Sequence, residues 1–422
     1  MQVRIAYGTE GRLLNVPESA SVILPNELPG LDDEAGAVSA AVRQGGLGAL
    51  VDANSSVVVV FPDLTRPMPN RTVLPPLLAL LEQFGVPDHH ITLLCATGTH
   101  RQATRLEMEE LVGADIVARY GIVDHQSDSE AHVTVGAVDG VPVRLQREYV
   151  EAEVRIITGF VEPHFFAGFS GGPKAVCPGL AATETILEAH HPRRIADARS
   201  TFVQRHGNPV HDFVRQAVAL CPPHLSVDVT INRKRQITAV FAGELVATHD
   251  DACAFAEASA VQQVDAPFDV VVSTNGGYPL DRNLYQAVKG MAAAERIVRP
   301  GGIIIMAAAC RDGVPGDGAF AQMLSSARSA TDLLAVHVGP ELDRWQAQVL
   351  GRVLQKAEVW LFSDGLSDDT TEDALLHPVH DLSRAVTDAL ARVGGSRVAV
   401  LPEGPLTVAT VSPPFGSPTL VM

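Results

Sequence analysis

Residues 155–191 read RIITGFVEPHFFAGFSGGPKAVCPGLAATETILEAHH, and the order of these features decides the fold class. The apolar run Arg155-Ile156-Ile157-Thr158 has the character of the end of a buried strand. A loop bearing His164 follows, then the Gly-rich turn Phe169-Ser170-Gly171-Gly172-Pro173-Lys174. After Pro178-Gly179, a helical segment closes on His190-His191. Polar chemistry at the carboxyl end of a strand, with a helix after it, is the repeating unit of an open α/β sheet.

The same unit recurs outward from this stretch. VVVVF at 57–61 runs into DLTRPMPN at 63–70 and a helix over 73–84; the strand at 91–95 ends in ATGTHR at 96–101; a short strand at 122–123 ends in Asp124-His125. Residues 2–7 and 11–16 suggest a hairpin, 32–42 an amphipathic helix, and 131–150 a β-rich excursion. Downstream, 225–231 and 236–241 form a second expected hairpin, followed by a helix over 248–261. A polar connector at 262–267 precedes a new series, with strands expected at 268–273, 302–308, 358–362 and 397–401. Helices are expected between them at 281–296, 318–329, 339–356 and 379–393. The expectation is an α/β protein of two domains, each with a largely parallel sheet flanked by helices, and an active site in the interdomain cleft. The larger, catalytic domain would span 1–265 and the smaller one 266–422, with the tail 403–422 packing back on the first.

Composition narrows the function classes. A chain of 422 residues is long enough for two cores. A formal charge of −17 argues against nucleic acid or an anionic membrane surface as the main partner, while leaving room for a small anion held by local Arg, Lys and His. The five cysteines are scattered without a C-x-x-C pair, which argues against a disulfide framework or a structural zinc site. The first thirty residues carry interspersed charges and prolines, and no run reaches about 18 apolar residues, so a cytoplasmic location and no membrane span are expected.

Four successive strand ends carry polar clusters: Asp63/Thr65/Arg66, Thr97/Thr99/His100/Arg101, Asp124/His125 and His164/Lys174. Alone, each has an ordinary explanation, such as a helix cap, a local ion pair or a loop histidine. In a parallel sheet, however, all four converge on one crevice. Arg66 is a planar donor suited to a carboxylate, and His100 and His164 would supply two proton-transfer groups titrating near neutrality, as a racemase or epimerase needs. Lys174 suits phosphate binding, a Schiff base or a covalent cofactor, and Gly171 and Gly172 would let a ligand approach the backbone. Neither the dinucleotide fingerprint nor the Walker spacing is present. His190 and His191 are candidate metal ligands or a helix-end charge effect; with no second ligand set, a metal here needs its other ligands from a cofactor. In the second domain, Tyr285 and Lys289 share a helix face, with Gln286 beside them.

Together DLTRP at 63–67, ATGTHR at 96–101, EPHFFAGFSGGPKAVCPGLA at 162–181, the following histidine and NLYQAVKG at 283–290 resemble the lactate racemase family. The resemblance covers about residues 1–400 and implies a nickel-pincer nucleotide, a pyridinium mononucleotide holding nickel, covalently attached to Lys174 through a thioamide. It further implies His190 as the nickel ligand, preferred over His191 for its distance from Lys174, with His100 and His164 as paired acid/bases. Arg66, Gln286 and Lys289 would hold substrate, while Asp63, Thr65 and Tyr285 would hold the cofactor or orient those groups. The implied reaction inverts C2 of a 2-hydroxy acid by hydride transfer through a 2-keto acid. Cofactor-synthesis proteins would load the enzyme, which would be a monomer or small homo-oligomer. The alternatives are a cofactor-binding protein without turnover, disfavoured by the two histidines, and a zinc-type metallohydrolase, disfavoured by the lack of an H-x-x-x-H cluster.

Overall fold

The computed structural model describes residues 1–316, 318–334 and 339–412. The chain divides into two compact units: Glu27–Ser259, and Met1–Asn26 together with the chain from Ala260 onward.

The Glu27–Ser259 unit is built on a six-stranded sheet in the order Ile237–Gly243, Leu225–Ile231, Val154–Phe160, Val57–Pro62, Ile91–Ala96, Gly121–Asp124. All pairings are parallel except the antiparallel edge strand Ile237–Gly243. Val57 to Phe61 are all buried because the sheet is covered on both faces. Val57, Val59 and Phe61 pack with Leu74, Leu77 and Leu81 of helix Asn70–Gln83 on one face. Val58 and Val60 pack with Ile186, Phe213 and Val214 on the other. Each fully buried valine or leucine contributes about 1.5–3 kcal/mol, so both layers are strongly held.

Strand order also places the site. From Val57–Pro62 the chain steps outward through Ile91–Ala96 to Gly121–Asp124, then returns to lay Val154–Phe160 on the opposite side of Val57–Pro62. The loops after these two central strands therefore diverge, and a crevice opens at such a reversal. Those loops are 63–69 and 161–174, two of the chemistry-bearing stretches.

The other unit has its own six-stranded sheet: His377–Val379, Ala357–Phe362, Val298–Ala307, Phe268–Thr274, Val398–Leu401 and Ser21–Val22, paired in parallel throughout. Here the structure differs from the expected division at 265/266. The hairpin Gln2–Ile5/Arg12–Asn15 formed as expected, but residues 1–26 belong with the second unit because Ser21–Val22 pairs with Val398–Leu401. Two exposed residues carry no alternation from which that pairing is legible. In the tail, Val408–Val411 pairs with Val261–Val264 and so also joins the second unit; residues 413–422 lie outside those described. No helix among the described residues is long and apolar enough to cross a membrane. The five cysteines are buried and free.

Candidate active site

The loop after Val57–Pro62 and the loop after Ile91–Ala96 meet through side chains. His100 Nδ1 lies 2.8 Å from Asp63 Oδ2, and the Thr65 hydroxyl donates to Asp63 Oδ1 at 2.7 Å. A carboxylate only accepts, so the neutral His100 ring carries its proton on Nδ1 and presents a lone pair at Nε2. Burial acts to raise the Asp63 carboxyl, but the His100 hydrogen bond and charge, the Thr65 hydroxyl and the Arg66 charge outweigh it and hold the group below the usual carboxylate range. Asp63 is buried, whereas the His100 side chain is 46% exposed, open to a small molecule.

The stretch 155–191 gathers around one ring. Phe166 meets the His164 ring edge-on at 4.5 Å between centroids and the His190 ring at 5.4 Å, and the Lys174 ammonium lies 5.7 Å from its centroid. Three of the predicted residues thus converge on Phe166, an apolar residue with no signal of its own in the sequence. His164 is buried, and its Nδ1 accepts the Ala167 amide at 3.3 Å, so the neutral ring carries its hydrogen on Nε2. The two rings present complementary chemistry: a lone pair from His100 and an N–H from His164.

His190 and His191 separate cleanly. His190 ends helix Thr183–Ala189, and its Nδ1 donates to the Ile186 carbonyl at 2.8 Å, leaving Nε2 as a lone-pair donor. Burial, then the nearby Lys174 charge, push its pKa down to about 4, so it stays neutral. His191 instead accepts the Arg193 amide at Nδ1, 3.2 Å away, and caps the short helix Pro192–Ile195.

The Gly-rich turn also answers to packing within the protein. Gly171 and Gly172 have φ of +74° and +47°, in the left-handed region. A Cβ on Gly172 would lie 2.4 Å from the His249 ring, and its amide is taken by Asp228 Oδ1 at 2.9 Å. The turn is therefore shaped by protein packing, and His249 Nε2 reinforces it with a 2.9 Å bond to the Ser170 carbonyl. The loop continues to Gly179, whose carbonyl accepts the Gly98 amide at 3.0 Å, tying the His100 loop to the segment that follows Lys174. His211 was also missed: its Nε2 is buried without a hydrogen-bond partner among the described residues. Burial, then the charges of His249, Arg215 and Lys174, lower its pKa to about 3.

His125 does not join these groups. It is buried, with Nδ1 3.1 Å from Thr97 Oγ1 and Nε2 3.1 Å from His132 Nε2, an internal polar chain behind the His100 loop. In the other unit, Asn283 caps helix Leu284–Glu295 by accepting the Gln286 amide, and Lys289 Nζ donates to Gln286 Oε1 at 2.6 Å. The Tyr285 hydroxyl accepts from Trp345 Nε1 at 2.9 Å and its ring meets Phe320.

Comparison with known proteins agrees along the chain. The family model for the lactate racemase N-terminal domain matches residues 7–202, and that for the lactate racemase C-terminal domain matches 261–409. The lactate racemase of Lactiplantibacillus plantarum is 36% identical over 367 residues, 85% of this chain and 86% of that protein. The apoprotein structure of lactate racemase from Thermoanaerobacterium thermosaccharolyticum superposes with a TM-score of 0.90 at 30% identity, covering 98% of this chain and 100% of that one. A Thermotoga maritima protein shares the fold, with a TM-score of 0.70 at 18% identity over 92% of this chain and 100% of that one.

Proposed function

Because the chain belongs to the lactate racemase family of isomerases, we propose that it interconverts the enantiomers of a 2-hydroxy acid, with lactate the first substrate to test. The observation that carries the reading is the gathering of His164, Lys174 and His190 around Phe166, one loop from the Asp63–His100 pair.

The residues fit the metal-containing cofactor that the family resemblance implies. His190 has the chemistry of a neutral imidazole ligand, with Nδ1–H fixed by a carbonyl. Among the described residues no group of three or more His, Cys, Asp or Glu is arranged to hold a metal, which disfavours a zinc hydrolase and suits a metal whose other ligands come from a cofactor. The orphan Nε2 of His211, within reach of the Lys174 charge, suits a site that receives a polar group. In this reading Lys174 is the covalent tether and His190 the nickel ligand of a nickel-pincer nucleotide, loaded by cofactor-synthesis proteins. When bound, that group supplies the acceptor and donor for the C2 hydride.

The chain's own residues then have separable duties. Arg66 grips the substrate carboxylate with its planar fork of donors, and Gln286 and Lys289 of the second unit are further substrate groups. His100 Nε2 takes the hydroxyl proton of one enantiomer, and Asp63 stabilises the imidazolium that results. His164 is the paired acid/base for the other enantiomer, giving a proton as imidazolium or taking one as neutral imidazole. Thr65 holds the Asp63 carboxylate in place through its hydroxyl.

Cofactor-loaded protein incubated with single-enantiomer lactate, and with larger, aromatic and dicarboxylic 2-hydroxy acids, should lose optical purity on chiral analysis for at least one of them. Lys174→Ala protein should show no added mass and no turnover. Full activity of Lys174→Ala without added cofactor would overturn the proposal.

A further inference from the structure

We propose that Asn208 is a positioning residue for this site, setting the spacing between the loop that carries His164, Phe166 and Lys174 and the segment that carries His190; the inference rests on the function proposed above. Asn208 is fully buried at the start of helix Pro209–Ala219. Its Nδ2 donates to the Phe166 carbonyl at 2.9 Å and to the Gln204 carbonyl at 3.0 Å. Its Oδ1 accepts the amides of Val210 at 3.0 Å and His211 at 3.3 Å, and Ser200 Oγ lies 3.4 Å away. Every donor and acceptor of the carboxamide is engaged.

The network continues to the histidine on the other side. Ser200 Oγ donates to the Arg194 carbonyl at 2.6 Å. The Arg194 guanidinium reaches the Glu188 carbonyl at 3.2 Å and the Glu188 carboxylate at 2.9 Å, two residues before His190. Arg194 is itself held over the Phe213 ring, 4.5 Å from its centroid, on the helix that Asn208 caps. Asn208 thus bonds the backbone of Phe166 directly and reaches the turn that ends in His190 through the Ser200 and Arg194 contacts and through Phe213 of the helix it caps.

Capping alone does not account for an asparagine here. Asp33, Thr104, Asn283, Ser367 and Asp381 cap other helices of this chain through an oxygen, so a cap by itself makes no use of amide hydrogens. The amide hydrogens are what an aspartate or serine lacks, and both point at carbonyls of the loop that carries Phe166 and of the turn beside it. Without them the Phe166 carbonyl loses a buried partner, and the ring that touches His164, His190 and Lys174 loses its backbone restraint.

Asn208→Asp keeps the cap and the shape but turns a second acceptor toward the two carbonyls; Asn208→Ser keeps a cap too short to span to Phe166. Both are compared with Asp381→Ala, which removes a cap elsewhere. Intact mass, kcat and KM on single-enantiomer lactate, and imidazole ¹⁵N signals of the apoprotein are read for each. Expected are a folded apoprotein, at least a tenfold loss of kcat with KM within twofold, and shifted His164 and His190 ring signals with His100 unmoved. Asp381→Ala should match the parent in all three. A kcat within twofold of the parent in both Asn208 variants, or unmoved His164 and His190 signals, overturns the proposal. If the loaded parent turns over no 2-hydroxy acid, the functional reading has failed, and the apoprotein signals still decide the role of Asn208.

Discussion

Replacing Asp63 with asparagine separates the orienting carboxylate from the base it serves. In the parent, the carboxylate accepts His100 Nδ1–H at 2.8 Å and the Thr65 hydroxyl at 2.7 Å. Asparagine keeps the shape and removes the charge, so the imidazolium formed when His100 takes the hydroxyl proton loses its counterion. A hydrogen bond to a charged group is worth about 1.5–3 kcal/mol, or roughly 10- to 150-fold in rate. With the His100 side chain 46% exposed, solvent screens part of this, and the lower range of about 10- to 50-fold in kcat is expected. Chiral analysis of the initial rate from each enantiomer, at matched cofactor loading by intact mass, measures it. Since the proposed mechanism gives the substrate carboxylate to Arg66, KM should move little. A kcat within twofold of the parent in both directions would refute the assignment of His100 as a base oriented by Asp63.

Exchange of the two adjacent histidines should divide their roles. His190→Ala should abolish nickel retention, measured by metal analysis after loading. His191→Ala should retain it and lose only a helix cap, about 0.5–2 kcal/mol by denaturant titration; equal nickel loss in both variants would contradict the geometry. Apoprotein stability should fall on mild acidification. Burial first, with nearby charge, holds His125 and His211 at about 3 and His190 at about 4, so all three stay neutral in the fold while the unfolded chain protonates near pH 6.5. Their stabilising contribution is full above pH about 6.5 and is lost as pH falls from there toward 4, at up to roughly 4 kcal/mol per pH unit for three protons. Urea midpoints at pH 7.5 and pH 5 test this, and an unchanged midpoint would rule it out.

Much of this protein is legible one residue at a time. The run at 57–60 is valine throughout because its strand is covered on both faces, and that pattern needs no partner to be read. The same holds for the alternation of strands and helices, and for Arg66, His100, His164 and Lys174 standing at strand ends. Which groups touch was decided by the tertiary structure, because a hydrogen bond between loops 37 residues apart leaves no periodic trace in either loop. Only the folded chain pairs Asp63 with His100, gathers three candidate site side chains on Phe166, and makes one of two neighbouring histidines a lone-pair donor and the other a cap. Asn208 shows the limit most clearly. In sequence, Gly207-Asn208-Pro209 is a helix start like many others, since capping is a local property. Its hold on Phe166, 42 residues upstream, exists only once helix Pro209–Ala219 has packed behind the Lys174 loop.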